Sequence, residues 1–286
     1  MGKQRTLIFV GAHPDDESFS VGATLAHYAL LGVKTYYICA TRGEVGEPNP
    51  GILKNYSTLS ELRCNELKRA SKVLGLTDVI HLNYRDSGKQ GCKDNKHPLA
   101  LVSVPLDEVV GRIVTIFREL KPDVVITFDP MGGYNHPDHI VIHNATVKAF
   151  YASQDPKQYP DSSPPFQLYK MYFSVTPHRI LRIVVRVLSF FGKDMSKWGR
   201  DKKFDLVSIV KTQYPVNAVI KTSKKAVQAR DNAALCHVSM VGNGFPPKGI
   251  LNLKTRLLGH RDYYMRAYPP VTHRIREKDL FEGIDK

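Results

Sequence analysis

The sequence predicts an α/β fold: a Rossmann-like, mostly parallel sheet flanked by helices, with a smaller C-terminal α+β portion. Three observations carry that expectation. Short β-branched or aromatic runs, Thr6 to Ala12, Lys34 to Ala40, Asp78 to Leu82 and Asp123 to Phe128, alternate with longer stretches at helical spacing, the pattern of strands buried on both faces of a parallel sheet. Ionisable clusters stand directly after several of these runs, and the carboxyl ends of strands are where open α/β sheets place their chemistry. After a segment with four prolines (156, 160, 164 and 165) the pattern changes, which divides the chain into a Rossmann-like core, 1–153, and a C-terminal portion, 154–286, that completes the sheet and pocket.

Taken in order, Ser18 to Leu31 spaces Val21, Leu25, Tyr28 and Ala29 as a helix and stops at Gly32, a residue suited to a helix end. Ser57 to Leu74 puts Leu62, Leu67, Ala70, Val73 and Leu74 on one side and stops at Gly75. Residues 89–103 have no periodicity and read as a surface loop over the site. Val104 to Leu120 points Leu106, Val109, Val110, Ile113, Ile116 and Phe117 inward until Lys121-Pro122 ends the helix. A further helix runs from about Pro137 to Ala152, with proline where a helix start tolerates it. Residues 153–165 read as a linker or excursion, Leu168 to Val175 as a strand, Asp205 to Thr212 as another, and Val216 to Cys236 as a basic helix. Between those two strands, Arg179 to Phe191 forms a helix with Arg179, Arg182 and Arg186 on one face, opposite Val184, Val187 and Phe191. That segment leaves three readings open: peripheral membrane contact, a contact between subunits of a homo-oligomer, or an ordinary core-facing helix.

Composition sets the broad class. The chain has 286 residues, 42% hydrophobic and 24% charged, ordinary for a globular protein with a real core. Cys39, Cys64, Cys92 and Cys236 are widely spaced with no CxxC, which argues against a disulfide framework or a thiolate metal site and for a reducing, cytoplasmic setting. The start, Met1 to Arg5, leads into a short apolar run without a small-residue cleavage site, so no signal peptide is expected. The net charge of +14 favours anionic partners. Nucleic acid is not the expected one: no binding motif is present, and the excess lies mainly in the second half, away from the polar strand ends.

The chemistry concentrates in two clusters. His13-Pro14-Asp15-Asp16-Glu17 follows the first strand, and Tyr134-Asn135-His136-Pro137-Asp138-His139 follows the strand ending at Phe128. Burying several ionisable groups is costly unless they pair or bind a cation, and imidazole with carboxylate suits zinc. In a parallel sheet the two strand ends share an edge, so His13, Asp16 and one histidine of the second cluster could converge on one ion. Three protein ligands with a position left for water describe a catalytic rather than a structural site.

Ala12-His13-Pro14-Asp15-Asp16-Glu17 together with Gly133-Tyr134-Asn135-His136-Pro137-Asp138-His139 resembles the paired signature of the LmbE-like (PIG-L) zinc-dependent N-deacetylases. The resemblance is specific to about Val147 and thins afterwards. It implies removal of an acetyl group from an N-acetylglucosamine-containing small molecule, with Zn2+ on His13, Asp16 and His139, Asp15 as general base, and His136 at the oxyanion or leaving group. It further implies that Glu44, in Thr41-Arg42-Gly43-Glu44, lines the site; that Arg63, in Glu61-Leu62-Arg63, reaches the substrate; and that Asp86, in Arg85-Asp86-Ser87-Gly88, accepts sugar hydroxyls. Within that mechanism the Tyr134 hydroxyl is an alternative oxyanion donor, and Asp138 orients a histidine from behind. Two other readings stay open: an amidase acting on thiol S-conjugates, and a non-enzymatic protein that binds a sugar or an anionic lipid. Ala234-Leu235-Cys236-His237-Val238-Ser239-Met240 partly resembles a later segment of the family, but Met240 stands where relatives have glutamine, which leaves His237 without an assigned role.

Overall fold

A computed structural model describes residues 4–46, 51–53, 55–196, 205–240 and 259–284. Its centre is a seven-stranded sheet of order β3-β2-β1-β4-β5-β7-β6. The first five strands are β1 (Thr6–Gly11), β2 (Lys34–Thr41), β3 (Asp78–Tyr84), β4 (Val124–Phe128) and β5 (Lys170–Ser174). They run parallel. Every residue of β1 and β4 is buried, as expected of central strands covered on both faces; each large apolar side chain fully buried there is worth roughly 1.5–3 kcal/mol. β6 (Ala218–Lys221) and β7 (Arg261–Tyr268) complete the sheet antiparallel, β7 lying between β5 and β6.

The helices are α1 (Asp16–Phe19), α2 (Gly22–Leu30), α3 (Leu59–Leu74), α4 (Leu106–Leu120), α5 (Gly132–Asn135), α6 (Pro137–Ala152), α7 (Arg179–Phe190), α8 (Leu206–Lys211) and α9 (Lys224–Cys236). Local sequence fixes their ends. Thr58 accepts from the Glu61 N–H at the start of α3, which Gly75 closes in the left-handed conformation. Pro137 occupies the first turn of α6 behind His136 as N-cap. Val109, Val110, Ile113, Val114 and Phe117 of α4 are buried, close to the inward set predicted.

Four expectations require correction. Asp205 to Thr212 is not a strand: α8 occupies it, because Asp205 caps it by accepting from the Ser208 N–H and Val210 packs with Val185 and Met195. Val216 to Cys236 is not one helix; the four residues of β6 precede Ser223, which caps α9 by accepting from the Ala226 N–H. The tail contributes β7, for which no strand was expected. The proline-bearing segment after α6 is also not a loose linker. Arg118 is buried within the protein and donates to the carbonyls of Ala152, Ser153, Asp155, Gln158 and Tyr159 and to Ser162 Oγ. One guanidinium thus replaces the regular ladder that prolines cannot make.

Strand order reverses between β1 and β4, since α1 to β3 build outward on one side and α5 to β5 on the other. A crevice opens beyond the carboxyl ends at such a switch point. β1 and β4 are neighbours in register, Leu7 beside Val124 and Phe9 beside Ile126, so the two His-Pro-Asp clusters emerge side by side.

Candidate functional site

Beyond β1 the chain turns sharply. Asp16 Oδ2 accepts from the Ala12 and His13 N–H groups at 2.9 and 2.7 Å, which anchors that oxygen and leaves Oδ1 3.4 Å from His139 Nε2. Asp15 takes up a φ of 138°, sterically disfavoured for a residue with a Cβ and held only because its neighbours over-determine it. Its N–H donates to Glu17 Oε2; its Oδ2 accepts from Arg63 Nη2 at 2.8 Å. Arg63 reaches there from the first turns of α3. The same guanidinium donates to Pro14 O and Gly43 O, and Gly43 takes a φ of 68°, which favours glycine, while a Cβ there would displace the guanidinium.

Beyond β4, Gly132 has a φ of 61°, and a Cβ on it would come 2.7 Å from His139 Cβ. Its carbonyl meets His139 Nδ1 at 3.1 Å, and the His139 ring stacks on Phe128 with centroids 3.9 Å apart. His136 Nδ1 accepts from the Asp138 N–H at 3.3 Å. Asp138 Oδ2 lies 3.0 Å from His13 Nε2 and accepts from the Ser87 N–H.

These partners set the protonation of each ring. In the neutral form that binding a cation would require, His13 donates through Nε2 to Asp138 and leaves a lone pair on Nδ1, while His139 donates through Nδ1 to Gly132, so Nε2 offers a lone pair. The two lone-pair nitrogens face each other at 3.2 Å. The Asp16 carboxylate lies 3.4 Å from one and 3.7 Å from the other. Ligands about 2.05 Å from a tetrahedral ion are about 3.3 Å apart, so these three acceptors could hold one cation. His136 differs: its Nδ1 is occupied as an acceptor, so a neutral ring carries its proton on Nε2 as a donor. Within the described residues His13, His136 and His139 form one group whose ligand atoms lie within 4.8 Å of one another, and His13, Asp86 and Asp138 form a second.

The electrostatics agree with a site that demands positive charge. Burial works against a charged His13, yet the carboxylates of Asp86, Asp138 and Asp16 outweigh it and raise its pKa well above the usual value. Burial lowers the pKa of His139, and the charge of His13 lowers it further; burial, His13 and His139 lower that of His136. Both rings are neutral, as a ligand and a hydrogen-bond donor require. Burial raises Asp15 to about 6 against the pull of Arg63, a value fit for accepting a proton near neutrality.

A cavity of about 400 Å3 opens over this floor, lined by His13, Asp15, Arg63, Asp86, Tyr134 and His136, by Val45, Gly46 and Gly88, by Lys89, Cys92, Lys93 and Asp94 of the loop expected to cover the site, and by Met240. Tyr134 sets its ring edge against His136 and His139. Asp86 Oδ1 accepts from the Gly88 N–H and lies 3.5 Å from His13 Nε2, so its turn and its place on the wall coexist. Glu44 departs from expectation: it does not line the cavity but accepts from the Asp86 N–H at 3.1 Å, bracing that turn. Asp16 and His139 lie beneath the wall.

A profile of the PIG-L family, GlcNAc-PI de-N-acetylase, matches residues 8–150. The 1D-myo-inositol 2-acetamido-2-deoxy-alpha-D-glucopyranoside deacetylase of Streptomyces scabiei is 33% identical, aligned over 97% of this chain and 89% of its own. The chain belongs to the PIG-L family. A Geodermatophilus obscurus protein of the same name is 33% identical over 99% of both chains. Among solved structures, N,N'-diacetylchitobiose deacetylase from Pyrococcus horikoshii superposes with a TM-score of 0.63 at 18% identity, covering 92% of this chain and 84% of that one, which bears on the fold. The Rossmann-like sheet and the N-deacetylase class expected from the paired motifs agree with this membership.

Membership of the PIG-L family does not by itself reveal the buried carboxylates beneath its motif. Glu17, wholly buried, accepts from the Asp15 N–H, from Ser18 Oγ and from His237 Nε2 at 2.7 Å. Glu66 of α3 accepts from both the N–H and the hydroxyl of Ser239. Together they pin the end of α9 to the first motif and bring Met240 to the cavity. Neither carboxylate was assigned this work from sequence. The only signal for it was the His-x-Ser spacing of His237 and Ser239.

Proposed function

We propose that this PIG-L protein is a zinc-dependent deacetylase that removes the acetyl group from an N-acetylglucosaminyl-inositol substrate. One observation supports the metal assignment: His13 Nδ1 and His139 Nε2 lie 3.2 Å apart with their other ring nitrogens committed, and the buried Asp16 carboxylate reaches both, Oδ1 at 3.4 Å from His139 Nε2 and the backbone-bound Oδ2 at 3.7 Å from His13 Nδ1. The donor set of two imidazoles and one carboxylate fits zinc. The inositol aglycone follows the relatives' activity.

A zinc ion there would supply Lewis acidity toward both water and the amide carbonyl. Asp15 takes the proton of the attacking water and returns it to the departing amine nitrogen, with Arg63 holding its carboxylate in place. His136 donates through Nε2–H to the carbonyl oxygen as negative charge develops, with the Tyr134 hydroxyl beside it. Asp138 fixes the His13 ring from behind. Asp86, backed by Glu44, presents a carboxylate on the cavity wall for sugar hydroxyls.

Amine release measured on N-acetylglucosaminyl-inositol, other N-acetylglucosaminyl sugars, phosphoinositide-linked forms and thiol-conjugate precursors, with metal content assayed on the same preparation, tests this reading. The expected result is about one zinc per chain and fastest release from the inositol glycoside. Turnover of thiol conjugates alone would replace the substrate. Tight sugar binding without release from any compound would replace the enzyme with a binder.

A further inference from the structure

α7 is attached at the active-site edge of the sheet. It follows β5 through His178, which feels the charge of Asp129, and Asp129 Oδ1 accepts the Met131 and Gly133 N–H groups at the head of the second motif. At 100° per residue, three arcs run around α7. Val185 is buried, and Leu181 and Leu188 pack with it against α8 and Met195. Arg182 and Arg186 lie on another arc, with Arg182 Nε donating to Val210 O. The third arc holds Ile183, Val184, Val187, Phe190 and Phe191, all exposed, the two phenylalanines at 86% and 73%. The side chain of Arg179, expected on the basic face, lies outside the described residues. The helix is core-facing on the side of Leu181, Val185 and Leu188, and its exposed apolar arc lies outside that side.

Burying those five side chains offers a substantial driving force, so the occupant must present an apolar layer. It must also accept positive charge. Residues 182–196 carry Arg182, Arg186 and Lys193 against Asp194, and α7 has no acidic residue. A second copy of this chain would bring the same positive segment against itself. An anionic bilayer supplies both an apolar interior for the exposed arc and negative headgroups for the arginines flanking it. No described helix is long and apolar enough to cross a membrane, and this geometry calls for a helix lying flat in the interface.

We propose that α7 docks this protein onto an anionic membrane surface, with Ile183, Val184, Val187, Phe190 and Phe191 entering the acyl boundary and Arg186 and Lys193 meeting the headgroups. The inference does not depend on the deacetylase reading, because the test reads binding. The full chain is sedimented with vesicles of phosphatidylcholine alone and of phosphatidylcholine with phosphatidylglycerol. Wild type is expected to pellet with the second and not the first, less so at high salt. Phe190→Ser with Phe191→Ser is expected to weaken partitioning by about tenfold or more, and Arg186→Gln with Lys193→Gln by about fivefold per charge. Circular dichroism matching wild type establishes that these exposed-site variants are folded. No pelleting by wild type, or pelleting of all variants alike through the general charge of +14, overturns the proposal. So does a dimer in size-exclusion chromatography that Phe190→Ser with Phe191→Ser dissolves while vesicles bind nothing, which would make α7 a subunit contact.

Discussion

The two clusters at the switch point are nearly the same text, His13-Pro14-Asp15-Asp16 and His136-Pro137-Asp138-His139, yet their side chains do different work. In the first, the histidine presents a lone pair and the middle aspartate stands on the cavity wall beside Arg63. In the second, the histidine caps α6 with the nitrogen that would otherwise coordinate, and the middle aspartate turns away from the cavity to grip His13. Only the fourth position behaves alike in both, Asp16 and His139 each offering an acceptor to the shared centre. The difference follows from what each turn leads into. After β1 the backbone is forced through a φ of 138° at Asp15 inside the motif, whereas after Met131 the positive φ values fall on Gly132, Gly133 and Asn135, before the motif, and His-Pro-Asp starts a regular helix. A motif therefore names residue types, and the local backbone assigns their roles.

The middle aspartates give the largest contrast. Asp15→Asn keeps shape and the capacity to bond Arg63 but cannot take a proton, so zinc content should stay at wild type while kcat falls by roughly 10²–10⁴-fold. Asp138→Asn should do the reverse in kind: it leaves the proton acceptor intact but loosens His13, weakening metal affinity by roughly 10–100-fold, read by competition with a chelator. If both variants lost activity at full metal occupancy, the contrast would collapse and Asp138 would have to act on substrate.

A smaller effect sharpens the account of what holds the first cluster. Burial disfavours a charged His237, but Glu17 outweighs it and raises its pKa, with Asp15 and Glu66 adding to the pull. A raised folded pKa gives stability that is complete below the unfolded value, about 6.5, and is lost as pH rises through the folded pKa. The Tm of wild type should therefore exceed that of His237→Gln most in mild acid, and the gap should narrow with rising pH. A gap constant across pH would mean that His237 does not change protonation over that range and holds Glu17 through the hydrogen bond alone.

Much of this architecture could be read from the sequence, for reasons that mark where reading stops. β1 and β4 were legible because strands buried on both faces must be continuous apolar runs, β2 and β3 because β-branched and aromatic residues run together in them, and the convergence of two ionisable clusters on one edge follows from parallel pairing. β6 was not legible, since four residues are too few to show a period, and the apolar residues of α8 suit helix or strand equally. Within the site, ligand-type residues stood out as ionisable groups after apolar runs. Glu17 stood out only as a member of the first cluster, and Glu66, like Arg118 outside the site, not at all, because their partners lie far along the chain, at His237, Ser239 and Ala152 to Ser162, and a charged residue buried by distant partners looks in sequence like one facing solvent. Glu44 was misjudged for a related reason: its position near the edge was legible, but its direction, toward the Asp86 N–H, was not.

We propose that the second cluster contributes His139, and not His136, to the metal while His136 serves the carbonyl oxygen. Zinc content after dialysis against a weak chelator, measured on His139→Ala and His136→Ala side by side, tests it most directly. His139→Ala is expected to emerge without zinc, whereas His136→Ala keeps about one zinc per chain and loses roughly 10²–10³-fold in kcat, as expected for an oxyanion donor. Retention of zinc by His139→Ala together with its loss from His136→Ala would contradict the assignment and move the metal to the other face of the histidine cluster.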